Sequence, residues 1–91
     1  KIYVTGGFSQ NSPVNSVYVY DPQANAWTQL ASMGTARRLH ASAAVGGKLY
    51  VFGGSGGDAR STAEVYDPAS DSWAPVTGLT YARDHVSAVA L

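Results

Sequence analysis

Ile2-Tyr3-Val4-Thr5-Gly6-Gly7 recurs 47 residues on as Leu49-Tyr50-Val51-Phe52-Gly53-Gly54. Three further markers keep the same order. Tyr20-Asp21-Pro22 returns as Tyr66-Asp67-Pro68 after 46 residues, Trp27 as Trp73 after 46, and Arg38-Leu39-His40 as Arg83-Asp84-His85 after 45. Four markers in one order at nearly one period define an internal repeat. Each copy is then one supersecondary unit that cannot bury its faces alone. The 91 residues hold two copies, expected over residues 1–45 and 46–91.

Each copy reads as short strands. Ile2 to Thr5 alternates and stops on Gly6-Gly7. Phe8–Ser16 reads as a polar loop with Pro13 and two Asn. Val17–Tyr20 alternates β-branched and aromatic residues. Asp21-Pro22-Gln23-Ala24-Asn25 carries turn chemistry, and Trp27–Leu30 reads as a third strand. After a connecting loop over Met33–Arg38, His40–Val45 is a strand of mostly small residues closed by a Gly46-Gly47 hairpin turn. The second copy places strands at Leu49–Phe52, Ala63–Tyr66, Trp73–Val76 and Val86–Leu91. No segment has a helical pattern. Four short antiparallel strands per period, repeated radially, form the blade of an all-β propeller.

The residues choose among propeller families. Double Gly follows an apolar strand, then comes Tyr-Asp-Pro, then Trp five residues after the Pro. No Trp-Asp dipeptide ends a strand. The ordered set resembles the kelch repeat, and the resemblance covers the whole chain. It implies two four-stranded antiparallel kelch-type blades. The His40 and His85 strands would be innermost and line a central channel, the Gly-Gly strands next, then the Tyr-Asp-Pro strands, with the Trp strands toward the rim. The chain would be permuted, starting at the second strand of one blade and ending with the innermost strand of the next. Ala41, Ser42, Ala43, Ala44, Ser87 and Ala88 leave room where strands crowd the axis. The structural set is Gly6, Gly7, Tyr20, Asp21, Trp27, Gly53, Gly54, Tyr66, Asp67 and Trp73. The two tyrosines are expected to bury their rings and hydrogen-bond their hydroxyls. The tryptophans are expected to pack between blades against the paired glycines. Two departures separate the copies: Trp to Arg spans 11 residues in the first and 10 in the second, and only the second glycine loop carries extra Gly.

Composition narrows the function classes. Apolar residues make up 45%, normal for a folded chain, while charged residues are 13%, about half the usual share. Six Lys and Arg balance six Asp and Glu, so nothing drives counterion release on nucleic acid or attraction to an anionic membrane. Without Cys there is neither a disulfide nor thiolate chemistry, and the compartment stays open. The chain begins at Lys1 inside a strand pattern and without an initiator Met, as a processed, trimmed or engineered piece would.

Ile2–Thr5 lacks an inner neighbour and Val86–Leu91 an outer one, so each end presents an unpaired strand edge. Two blades fill only about a third of a six-bladed ring and leave apolar faces uncovered. Head-to-tail self-association is therefore expected, pairing Val86–Leu91 of one chain with Ile2–Thr5 of the next. A trimer supplying about six blades is the first choice. A fragment of a longer propeller protein is the alternative.

Arg37, Arg38 and His40, with Arg83, Asp84 and His85, stand where a loop enters the innermost strand. The resemblance implies that arginines there face the channel mouth and bind acidic groups of a protein or peptide. A guanidinium fork matches a carboxylate bidentately. The alternative is that Arg pairs with a neighbouring blade and His satisfies a backbone carbonyl. Tyr81 reads as an exposed aromatic contact. Ser9, Asn11, Ser55, Asp58 and Arg60 complete the loop candidates. No metal or cofactor is expected, because no Cys or carboxylate pair stands at ligand spacing from the histidines. The Gly54-x-Gly56-x-x-Ala59 run matches a dinucleotide fingerprint, but a strand follows it, which leaves it a conformational role. The expected function is a non-catalytic, protein-binding or self-assembling scaffold. The rival is a sugar-active enzyme of the sialic acid isomerase type, with His40, His85, Asp84 and Arg83 as acid/base candidates. The copper radical oxidases of similar fold need a Cys cross-linked to Tyr, which the chain lacks.

Overall fold

β-branched and aromatic runs separated by Gly and Asx turns fold into antiparallel strands throughout. The computed structural model describes residues 1–56, 61–81, 83 and 87–89. The first blade has three strands, Ile2–Thr5 (β1), Val17–Asp21 (β4) and Ala26–Leu30 (β5), in the order β1-β4-β5. The second has four, Ala41–Val45 (β6), Lys48–Phe52 (β7), Ala63–Asp67 (β8) and Ser72–Val76 (β9), in chain order. No α-helix occurs among the described residues. The architecture is that of kelch-type propeller blades, as the sequence implies.

One loop reads differently in the structure. Phe8–Ser16 is not merely irregular: Phe8–Ser9 (β2) and Ser12–Pro13 (β3) pair as a small hairpin. Gln10 and Asn11 both take positive φ, 51° and 67°, the mirror-image turn that suits a two-residue hairpin. The run is too short and polar for its alternation to register in the sequence. The expected final strand over Val86–Leu91 is not observed where it can be judged. Residues 87–89 carry no strand, and Val86, Ala90 and Leu91 lie outside the described residues.

Backbone hydrogen bonds fix how the copies superpose. Gly6 N donates to Ser16 O and Gly53 N to Thr62 O, each at 2.9 Å. Met33 N donates to Asn15 O at 2.9 Å and Leu79 N to Ser61 O at 2.7 Å. Gly7 N donates to Arg37 O and Gly54 N to Arg83 O, each at 2.8 Å. Arg83 is thus the counterpart of Arg37. The sequence match of Arg38 with Arg83 is off by one: by backbone pairing Arg83 corresponds to Arg37, and each stands ten residues after its Trp.

The two sheets bury opposite faces. Alternation puts Tyr3, Val17 and Val19 on one face of the first blade and Leu49, Val51, Glu64, Tyr66 and Trp73 on one face of the second. These faces meet. Val17, Met33 and Val51 form the core cluster, with Leu30 and Trp73 against it, and the Tyr3 and Tyr66 rings lie 6.3 Å apart. The other face of the first blade carries Ile2, Val4, Tyr18 and Trp27, which stay exposed. The contrast is sharpest between counterparts: Val51 is 0% exposed and Val4 45%, Leu49 7% and Ile2 57%.

The tryptophans therefore differ. Trp73 packs on the core and its indole donates to Ala31 O at 2.8 Å. Trp27, expected in a core, is 58% exposed because no blade covers its face. Trp73→Ala should cost about 3 kcal/mol in urea unfolding of the single chain, and Trp27→Ala no more than about 0.5 kcal/mol. Equal losses would contradict this packing.

Candidate functional site

The segment joining the blades, residues 31–40, gathers most of the chemistry. Arg37 does not face a channel mouth. Its side chain is wholly buried in the second blade. Nη1 donates to Gly53 O at 2.9 Å and Thr62 O at 3.0 Å, and Nη2 to Thr62 Oγ1 at 2.9 Å and Glu64 Oε2 at 3.0 Å. The Glu64 carboxylate accepts two more bonds from the same segment, Gly34 N at 2.7 Å and Thr35 N at 3.2 Å. A buried charge persists only when paired and hydrogen-bonded, and both partners here meet that condition. This is the neighbouring-blade pairing that was the alternative reading of the arginine.

The paired glycines admit the same segment. A Cβ on Gly6 would collide with the Arg37 carbonyl and lie 3.0 Å from His40 Cε1. One on Gly54 would lie 2.7 Å from His40 Cβ. Both glycines also hold positive φ, 60° and 96°. His40 is thus wedged between the two glycine turns, with Nε2 2.7 Å from Thr5 Oγ1. Burial, and then the charge of Arg37, hold its pKa below the ordinary 6.5, against a hydrogen bond with Thr5 that raises it.

Arg38 takes the outward position. Its guanidinium lies 4.2 Å from the centroid of the Phe8 ring, on the β2–β3 hairpin. Arg38 and Ser55 exchange backbone hydrogen bonds at 2.9 and 2.7 Å, stapling the connector to the glycine loop of the second blade. Phe8 is exposed and Arg38 half-buried, and no carboxylate pairs with Arg38 among the described residues. Ser9 and Asn11 sit exposed on the same hairpin. Arg38, Phe8 and Ser55 thus form one surface cluster, with Ser9 and Asn11 beside it.

The remaining candidates are scattered. Tyr81 is 71% exposed, and Arg83 is exposed on the loop after β9. Asp58, Arg60, Asp84 and His85 lie outside the described residues. Of the rival enzyme's set, only His40 and Arg83 can be placed, and His40 faces Thr5. Among the described residues no three His, Asp or Glu side chains gather as metal ligands. Both structural tyrosines hydrogen-bond their hydroxyls as expected, but only the Tyr66 ring is buried, and Tyr20, on the open face, is half-buried. Tyr66 OH donates to Asp71 Oδ1 at 2.7 Å and Tyr20 OH to Asn25 Oδ1 at 2.6 Å. Burial, then the Asp71 bond, pushes the Tyr66 hydroxyl pKa well above its usual range. Asp71 Oδ1 also accepts Ala31 N at 3.0 Å, and that backbone bond, then Tyr66, holds its carboxyl below the usual value.

Sequence reasoning missed Glu64, Phe8, Asp71 and Asn25. Glu64 was legible in part, as an acidic residue standing between apolar neighbours in a strand. Phe8 gave no such signal, because its partner is 30 residues away.

Comparison with known proteins agrees with this architecture. The kelch motif model matches residues 1–34 and again 36–80. An F-box/kelch-repeat protein of Arabidopsis thaliana is 34% identical over 90 residues, covering 93% of this chain and 19% of the relative. Kelch repeat and BTB domain-containing protein 1 of cowpox virus is 36% identical over 90 residues, 94% of this chain and 16% of that one. Kelch-like protein 25 of Xenopus tropicalis is 40% identical over 83 residues, 89% and 14%. The chain belongs to the kelch-repeat family. It spans less than a fifth of the length of these relatives.

Two measurements check the connector. Glu64→Gln should cost about 3 kcal/mol in denaturant unfolding, because it strands a buried guanidinium. A folded pKa below 6.5 makes the His40 contribution intact above that pH and lost as the pH falls below it. His40→Gln should therefore flatten the acid-side fall in melting temperature, followed by circular dichroism.

Proposed function

We propose that the two blades are part of a non-catalytic protein-binding scaffold, and that its contact surface centres on Arg38 and Phe8. The observation that carries this is the cation over the exposed ring, held at the junction of three stapled loops. A guanidinium fixed on an aromatic face keeps its outer edge free for a carboxylate and loses little side-chain freedom on binding. Ser9, Asn11 and Ser55 supply hydroxyl and amide groups beside it. Loops set on a rigid sheet are the usual place for such contacts. The kelch names of the relatives support the reading, and an acidic peptide or protein surface is the partner its charge suits.

The ring-forming reading is kept beside it, because the face bearing Ile2, Val4, Tyr18 and Trp27 is exposed. Large apolar patches of this kind mark interaction surfaces. Head-to-tail association of about three chains would cover it.

Arg38→Ala and Phe8→Ala should each weaken binding of a Glu-rich peptide about tenfold in titration calorimetry, and added salt should weaken wild-type binding as well. Arg38→Lys should restore only part of it, since an ammonium lacks the planar fork. Unchanged affinity in both alanine variants would end this assignment.

A further inference from the structure

The first blade carries an open copy of the socket by which the second blade grips the connector. In the occupied joint, Trp73 and Asp71 hold both ends of one residue: the indole donates to Ala31 O at 2.8 Å, and Asp71 Oδ1 accepts Ala31 N at 3.0 Å. Tyr66 braces the pair, its hydroxyl on Asp71 and its ring 5.2 Å from that of Trp73 at 45°. The first blade repeats this geometry unoccupied. Tyr20 OH reaches Asn25 Oδ1 at 2.6 Å, and the Tyr20 and Trp27 rings lie 5.0 Å apart at 46°. Asn25 and Asp71 also share the left-handed backbone, φ 51° and 48°. The socket is therefore built before anything fills it, which removes most of the ordering cost of binding.

The matching plug is on the same chain. After β9 the described residues match the connector at two points: Leu79 N bonds Ser61 O as Met33 N bonds Asn15 O, and Arg83 O takes Gly54 N as Arg37 O takes Gly7 N. The strand registers agree, pairing Val17 with Leu30 and Ala63 with Val76. Thr77 thus stands where Ala31 stands, and Arg83 where Arg37 stands.

We infer that a second copy of this chain docks its residues 77–81 and Arg83 on the exposed face of the first blade, gripped by Asn25 and Trp27. This rests on the ring-forming reading and names its joint. Trp27 Nε1 donates to the partner's Thr77 O, and Asn25 Oδ1 accepts the partner's Thr77 N. The partner's Arg83 enters beside Gly6 O, Ser16 O and Ser16 Oγ, the counterparts of its neighbours in the occupied joint. Two acceptors differ. Asn25 offers a neutral amide oxygen where Asp71 has a carboxylate, and Tyr18 replaces Glu64, so the ion pair of the occupied joint has no equivalent here and the contact between copies is the weaker of the two.

That difference supplies the test. Tyr18→Glu gives the partner's Arg83 its missing carboxylate. Because a Cβ on Gly34 would lie 3.1 Å from Glu64 Oε1, the variant is made with and without Thr80→Gly, the counterpart of Gly34. Sedimentation equilibrium over a concentration series reads the association, and Trp27 emission reports its burial. Wild type is expected to associate, with a blue shift in emission. Tyr18→Glu with Thr80→Gly should associate about tenfold more tightly, and Arg83→Ala should abolish that gain. Asn25→Ala and Trp27→Ala, at exposed positions that leave the core intact, should weaken wild-type association.

Association that ignores Asn25 and Trp27, or a gain from Tyr18→Glu that survives Arg83→Ala, would overturn this joint while leaving ring formation standing. A chain that stays monomeric at every concentration would overturn both, and would leave the face to a blade from elsewhere.

Discussion

Arg37 is the constraint on which the arrangement of the two sheets depends. It belongs to the connector, yet its charge is satisfied wholly inside the second blade, by two carbonyls, a hydroxyl and a carboxylate. Glu64 answers by taking the backbone of Gly34 and Thr35. Neither charge has an acceptable alternative in water-excluded surroundings, so the connector is locked to the second blade and carries Met33 into the core. An apolar contact of the same area would hold the sheets together without specifying their register.

The glycine pairs serve that lock. Gly6 and Gly54 let the backbone of residues 37–40 and the His40 ring approach more closely than any side chain would permit. The connector just before Ala41–Val45 is thereby drawn against the glycine turns of both blades. The outward residue of the connector, Arg38, is left to lie on Phe8. One short segment thus separates two environments by alternation: Arg37 faces in and supports the fold, and Arg38 faces out onto the Phe8 ring.

A blade of this type has two apolar faces and is complete only when both are covered. The joint between the present blades shows what covering consists of: an aliphatic cluster, an indole and a carboxylate clamping one residue, and a buried ion pair. The first blade carries aliphatic side chains and an indole on its open face, with the Asn25 amide where the second blade has the Asp71 carboxylate and Tyr18 where it has Glu64. The repeats are therefore similar in shape and differ in the polar groups they present.

The four markers, their order and their period were enough to establish strands, turns and the blade, because side-chain alternation and glycine turns are local properties. The kelch assignment was legible for the same reason. Which arginine is buried was not, since Arg37 and Arg38 are adjacent and alike; only the position of Glu64, 27 residues on, separates them. Equal residues with unequal fates, Trp27 and Trp73 above all, show the same limit. Each stands five residues after the proline of a Tyr-Asp-Pro, and their exposure depends on whether another sheet lies against them. Local pattern determined each blade, and only tertiary contact decided which of its faces and charges lie inside.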